Sequence, residues 1–182
     1  HFYVGDDGRP ADPPQWLSQS REKLVRLQRQ LNRMVPGSRN YQEAVQKYRL
    51  LHEHIANQRK DFIHKESRRI ANAWDAVCVR EDDLRDLAGI AVQENPAGIG
   101  FGAFRECLRY KLAHQGKQLL VVDRYFPSTR LCGQCGRVSA EGISPKLRTW
   151  VCPACGARLS REVNAAQNIK AQGLAQYAGK SA

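Results

Sequence analysis

Leucines at positions 17, 24 and 31 recur at heptad spacing, with Leu27 and Met34 between them on the same face. That spacing predicts an amphipathic helix, and the segment "RLQRQLNR" makes its other face basic. "VPGSRN", from Val35 to Asn40, breaks it. A second helical stripe follows, with Tyr41, Val45, Tyr48, Leu51, Ile55 and Phe62 on one side, running towards Trp74. Residues 17–74 therefore read as a helical hairpin. Beyond it the period changes. "DAVCVR" (Asp75 to Arg80) reads as a buried strand, because Val77 and Val79 are β-branched and Cys78 is small and apolar. "EDDLRDLAGIAVQENPAGIG" reads as a polar connector. "FGAFRECLRYKLAHQG" places Phe101, Phe104, Leu108 and Leu112 at helical spacing and closes at Gly116, a C-cap residue. "QLLVVDRYF" is the second clear strand. Strand, helix, strand predicts a βαβ crossover and an α/β core.

The ends of this pattern differ. "GDDG" and "PADPPQ" supply turns around a short strand at Phe2 to Val4. From about Ser128 to Leu159 the chain is rich in turn residues and holds four cysteines, and "REVNAAQNIKAQGLAQYA" returns to a helix. The opening "HFYVGDDGRP" has neither the basic start nor the apolar run of a signal peptide and reads as the middle of a longer chain.

The cysteines carry the most specific chemistry. Cys132-Gly-Gln-Cys135 and Cys152-Pro-Ala-Cys155 are two C-x2-C pairs, each followed by a glycine, Gly136 and Gly156. Each pair builds a tight knuckle whose thiolates converge on one ion, and two knuckles complete the tetrahedral sulfur shell that Zn2+ prefers. Disulfides would require an oxidising compartment, and a redox dithiol would need only one pair. Four protein ligands close the shell, so the zinc is expected to be structural. Cys78 and Cys107 lie in apolar patterns and read as small core residues.

Charge adds a partner class. Lys and Arg number 29 against 18 Asp and Glu, giving +11 and an isoelectric point near 9.7. Such a surplus favours polyanions, because basic residues beside phosphates release condensed counterions. No run is long and apolar enough to span a bilayer, and no helix pairs a basic face with an aromatic one, so a membrane partner is not expected. Any single arginine of the hairpin is better read as part of a solvated face. Together, Arg26, Arg29, Arg33, Arg39, Arg59 and Lys60 on two basic faces suit a nucleic-acid backbone.

The ordered set "LQRQLNR…GSRNYQEAVQKYRLLHEHIANQRKDFIHK", "DAVCVR", "FGAFRECLRYKLAHQGKQLLVVDRYFPSTRLCGQCG" and "RTWVCPACGARLSREVNAAQNI" resembles the C-terminal half of TnpB proteins, transposon-encoded RNA-guided DNA nucleases related to the type V CRISPR effectors. The resemblance covers essentially the whole chain. Its most specific parts are "FPST" leading into the cysteine module and "NAAQNI" leading out. It implies an RNase H-like (RuvC) core with the long hairpin, and a zinc ribbon inserted before the last acidic motif. The implied divisions are 1–127 for the partial core including hairpin 17–74, 128–159 for the ribbon, and 160–182 for the final motif and C-terminal helix. A guide RNA, a double-stranded DNA target, and a cytoplasmic, nucleoid-associated setting in a prokaryote are also implied. Three acids would hold Mg2+ ions that activate water and clamp the phosphodiester.

The acids themselves match poorly. The first would lie on a strand upstream of His1. The second is a Glu ending a strand such as "DAVCVEDLDMRAM", and laid on "DAVCVREDDLRDL" without gaps it falls on Arg80. The third is an Asp of a "DRDVNAA"-like motif, and Glu162 stands there. A lengthened carboxylate at Glu162 displaces a ligand of a two-metal site. Arg80 reverses the charge. Glu81 could replace it only by a one-residue slip, which turns it to the opposite face. Asp82 would need a slip of two and lost strand pairing. Glu162 thus reads as a relic, and the leading expectation is a cleavage-deficient RNA-guided DNA-binding protein that represses by occluding its target. An active endonuclease completed by Glu81 or Asp82, with bound Mg2+, and an inactive transposon fragment are the alternatives.

Overall fold

The computed structural model describes residues 2–12, 15–81, 100–144 and 146–179. Helices α1 (Gln15–Leu31) and α2 (Arg39–Ala73) form the hairpin. Gly37 turns the chain between them at φ 82°, a conformation that favours glycine. Ser38 then caps α2, its Oγ accepting the Tyr41 N–H at 3.2 Å. The 35-residue helix α2 serves two partners. Its first half covers Leu31 of α1 with Ala44 and Ile55, all buried. Its second half turns Ile63, Ile70 and Ala71 onto helix α3 (Phe101–His114), against Phe104, Cys107, Leu108 and Leu112. That second interface is the centre of the core.

Strands β1 (Tyr3–Val4) and β2 (Pro10–Ala11) make a short antiparallel hairpin. It is fastened by Phe2, which stacks on Phe101 at 4.7 Å between centroids and meets Phe62 and Phe104 edge-on. Tyr3 donates to Glu66, and Arg69 closes the triad with Glu66 at 2.6 Å. Burial and the Glu66 carboxylate push the Tyr3 hydroxyl above its ordinary pKa, while the Arg69 hydrogen bond pulls Glu66 down. The buried Lys111 also joins helices, donating to His64 O at 2.6 Å and to Ser67 Oγ at 2.7 Å.

The expected βαβ crossover is present. Strand β3 (Ala76–Arg80) runs parallel to β4 (Gln118–Val122), in register from Ala76 opposite Gln118 to Arg80 opposite Val122. The polar connector expected before α3 lies largely outside the described residues. Helix α3 ends where anticipated: Gly116 adopts φ 67°, and Lys117 N–H returns to Leu112 O at 2.9 Å. Helix α4 (Arg161–Ala178) crosses both strands, with Gly173 packed so closely that a Cβ there would lie 2.8 Å from Cys78 Sγ.

Two expectations about the strands need correction. β3 is half-buried rather than buried, because among the described residues it pairs on one edge only, leaving the other beside an open cavity. β4 stops at Val122 instead of running on to Phe126. Asp123 Oδ1 accepts the Tyr125 N–H at 2.7 Å and turns the chain. Between β4 and α4 lie the four cysteines and a third small sheet, β5 (Thr149–Val151) antiparallel to β6 (Arg158–Ser160). The chain is thus mixed α/β, with three two-stranded sheets among the described residues. None of its described helices is long and apolar enough to cross a membrane.

Candidate zinc and nucleic-acid sites

The two C-x2-C turns adopt the same backbone path. Gly136 N–H donates to Cys132 O and Gly156 N–H to Cys152 O, both at 2.9 Å. Cys132 N–H and Cys152 N–H each donate back, to Arg137 O and Ala157 O, again at 2.9 Å. Gly136 and Gly156 take φ of 71° and 72°, which lets each loop close without a Cβ clash. The first cysteine of each pair is buried and the second exposed, so the knuckles face each other as near copies. All four Sγ atoms lie within 4.8 Å of one another. Cys132 Sγ is 3.7 Å from Cys155 Sγ, and Cys135 Sγ 3.8 Å from Cys152 Sγ. Zn–S bonds of about 2.3 Å in a tetrahedron require sulfur–sulfur edges of about 3.8 Å. The geometry fits the expected ion. Backbone N–H groups of Cys155 and Ala154 aimed at the Cys152 sulfur lower that thiol to about 7, which favours the ligating thiolate.

Helix α4 clamps the first knuckle with two side chains whose role was not legible as chemistry. Asn164 Oδ1 accepts the Gly133 N–H at 2.9 Å and its Nδ2 donates to Leu131 O at 2.7 Å. Asn168, one helical turn on, donates to Leu131 O at 2.8 Å and Ser128 O at 2.9 Å. Both asparagines are buried. Two amides at i, i+4 on a helix face of small residues were the available signal. A Cβ on Gly133 would stand 3.0 Å from Asn164 Oδ1, so that glycine is part of the clamp. Asn164→Ala would strand the Gly133 N–H, and we expect it to cost about 2–3 kcal/mol of stability with the cysteines intact. Urea unfolding of the zinc-loaded protein measures that loss.

The positions matching the acidic motifs come out as follows. Arg80 ends β3, half-buried, with Nη1 3.5 Å from Ser128 Oγ. It lines a cavity of about 370 Å³ together with Phe2, Tyr3, Ser128 and, from α4, Ala165 and Ile169. Glu162 sits in the first turn of α4, three and seven residues before Ala165 and Ile169, hence on the same helix face. Its carboxylate is taken by Arg148 Nη1 at 2.9 Å. Glu81 is exposed, and its N–H donates to Val122 O at 2.8 Å, so the β3–β4 ladder continues without a slip. Strand alternation then points Glu81 away from the face of Arg80. Asp82 lies outside the described residues.

On the hairpin, Arg26, Arg29, Arg33, Arg39 and Lys60 are exposed, and Arg39 pairs with Glu43 at 3.2 Å. Arg59 differs. It is half-buried, its Cδ lies near Gly100 at the start of α3, and its Nε has no hydrogen-bond partner.

Comparisons with known proteins agree with this division. A family model described as "Probable transposase" (OrfB_IS605) matches residues 2–91, and one described as "Cas12f1-like, TNB domain" matches residues 101–169. A Streptomyces pristinaespiralis protein named "Putative RNA-guided DNA endonuclease" is 36% identical over 172 residues, 94% of this chain and 42% of that protein. The TnpB-like protein L79 of Acanthamoeba polyphaga mimivirus is 26% identical over 133 residues, 69% of this chain and 25% of the relative. A CRISPR-associated DNA-binding protein, Cas12m, from Pelobacter propionicus is 25% identical over 131 residues, 64% of this chain and 19% of its own. The chain belongs to the TnpB family. It spans less than half the length of each of these relatives.

Proposed function

We propose that the chain is the C-terminal part of an RNA-guided DNA-binding protein whose RuvC-like nuclease centre has lost its acids, and which occupies target DNA without cutting it. One observation carries the reading: the β3 position expected to hold a metal-binding Glu holds Arg80. Its guanidinium faces the cavity between β3 and α4, where a cation would have to bind. Coulomb repulsion there works against Mg2+ by on the order of several kcal/mol. The Arg148 ion pair at Glu162 supports the same reading, since that carboxylate is already neutralised.

In this proposal residues 1–127 are the partial RuvC-like core with its hairpin, 128–159 the zinc ribbon, and 160–182 the closing motif and helix. The open edges of β1 and β3 on either side of the cavity suit a further strand supplied from upstream. Guide RNA and double-stranded DNA are the partners, in a prokaryotic cytoplasm at the nucleoid. Base pairing supplies sequence specificity, and the protein grips backbone and heteroduplex shape. Repression by occlusion follows from binding without release of cut ends. The residues fit a structural Zn2+, which would tie the two knuckles together beside α4. Asn164 and Asn168 hold that unit against the core, and the exposed arginines of the hairpin supply backbone contacts.

The test uses the full-length protein loaded with its guide RNA in Mg2+ or Mn2+. Matched DNA should be bound and recovered intact. Changing Arg80→Glu and Glu162→Asp together should restore cutting where an upstream Asp is present, while either change alone should not. Guide-dependent cleavage by the unmodified protein, abolished by Glu81→Ala or Asp82→Ala, would overturn the reading and leave an active endonuclease.

A further inference from the structure

The zinc module has a second opening, away from the asparagine clamp. A cleft of about 240 Å³ lies between the stretch after the first knuckle, Arg137 to Ala140, and the second knuckle with its preceding strand, Trp150 to Ala154. The Leu131–Val138 bridge and the β5–β6 pair hold its two sides. Val138, Ala140, Pro153 and the Trp150 ring give apolar surfaces, while Arg137 and Ser139 supply polar groups. Trp150 is only 8% exposed, yet its indole N–H has no hydrogen-bond partner. A covered donor left unpaired costs about 1–3 kcal/mol, an expense that native structures rarely carry. The β5 tryptophan could fill the module as a phenylalanine would, so the unmatched N–H points to an acceptor that arrives from outside.

The charge pattern selects that acceptor. Residues 128–160 carry five basic side chains (Arg130, Arg137, Lys146, Arg148 and Arg158) against Glu141 alone, so the module attracts polyanions rather than basic partners. Inside the cleft the balance reverses, because Cys152 lines it and four thiolates around one Zn2+ leave the cluster negative. A phosphate is repelled from the floor of the cleft, whereas a neutral ring carrying a carbonyl is not. Apolar walls, one unpaired donor and a guanidinium nearby describe the recognition of a splayed nucleobase.

We propose that the cleft takes one unstacked nucleobase of a single-stranded segment, with a base carbonyl accepting from Trp150 and the flanking phosphates running past Arg137. This rests on the nucleic-acid reading above and adds a place where a single strand is held. A protein side chain carrying the same carbonyl would not draw on the surrounding arginines.

The experiment uses the zinc-loaded chain and two probes of equal charge, a short oligothymidylate and an abasic strand of the same length. The indole N–H resonance of Trp150, identified against Trp16→Phe and Trp74→Phe variants, should move with oligothymidylate and stay in place with the abasic strand. Trp150→Phe should weaken oligothymidylate binding about three- to tenfold, the worth of one hydrogen bond, with zinc content unchanged and duplex binding unaffected. If both strands bind equally and the resonance is still, the cleft holds no base, and the nucleic-acid reading survives without it. Movement with both strands would place a phosphate there and overturn the proposal. Binding of neither strand would sink both readings together. Where Trp150→Phe loses zinc, the resonance of the unmodified protein decides alone.

Discussion

Stripping zinc from the protein, or changing Cys152→Ala, is expected to unfold residues from about 131 to 160 while the hairpin and α3 keep their helices. The module has little else to hold it. Its buried apolar set is Trp150 with the ligands Cys132 and Cys152, assisted by half-buried Ile143, Ala157 and Leu159. Burying one tryptophan contributes only about 3 kcal/mol. Ordering some thirty residues costs on the order of 1 kcal/mol or more each. Metal binding makes up the difference, with apparent energies of about 10–16 kcal/mol for structural zinc at neutral pH. Proteolysis should therefore cut within this segment in the chelated protein and spare it in the loaded one. Metal analysis should return close to one zinc per chain, and Cys152→Ala should lose it. Retained stoichiometry in that variant, with an intact module, would remove the four-cysteine assignment. Because the ligands bind as thiolates, zinc affinity should fall as pH drops through the range where Cys152 takes up its proton, near 7.

Where a residue's chemistry decides its neighbours within a few positions, the sequence was a good guide. Each C-x2-C-G turn forms its own hydrogen bonds, and the leucine and tyrosine stripes of the hairpin meet as their spacing requires. Longer-range packing was harder to see. Nothing local says that α2 must split its buried face between α1 and α3, with Ser67 and Lys111 sealed at the second interface. The half-burial of β3 depends on what lies at its open edge, which the strand's own apolar residues do not encode. Asn164 and Asn168 show the same gap at the site. As letters they belonged to a family signature, but their work is to satisfy Gly133 N–H, Leu131 O and Ser128 O across more than thirty residues of chain. Polar residues that close a distant loop leave no periodicity to detect. Glu162 lay where the motif put it, while its pairing with Arg148 required β6 to deliver the chain beside the α4 N-terminus.

Reversing Arg26, Arg29 and Arg33 together is expected to weaken nucleic-acid binding regardless of sequence. The three lie on the exposed side of α1, opposite Leu24, Leu27 and Leu31, and none is needed to pack the hairpin. If each neutralises one phosphate, its loss lowers the slope of log K against log salt by about 0.9, so the triple change should flatten it by nearly three units. At about 0.1 M salt the lost counterion release is worth roughly 1.2 kcal/mol per contact, or on the order of several hundredfold for three. The effect should shrink as salt rises and be the same for matched and unmatched duplexes. Circular dichroism should stay unchanged, since the buried stripe is untouched. An affinity loss confined to one sequence would instead mean that these arginines touch base edges. In that case α1 would sit in a groove rather than along a backbone, and restoring each arginine singly would show which base it reads.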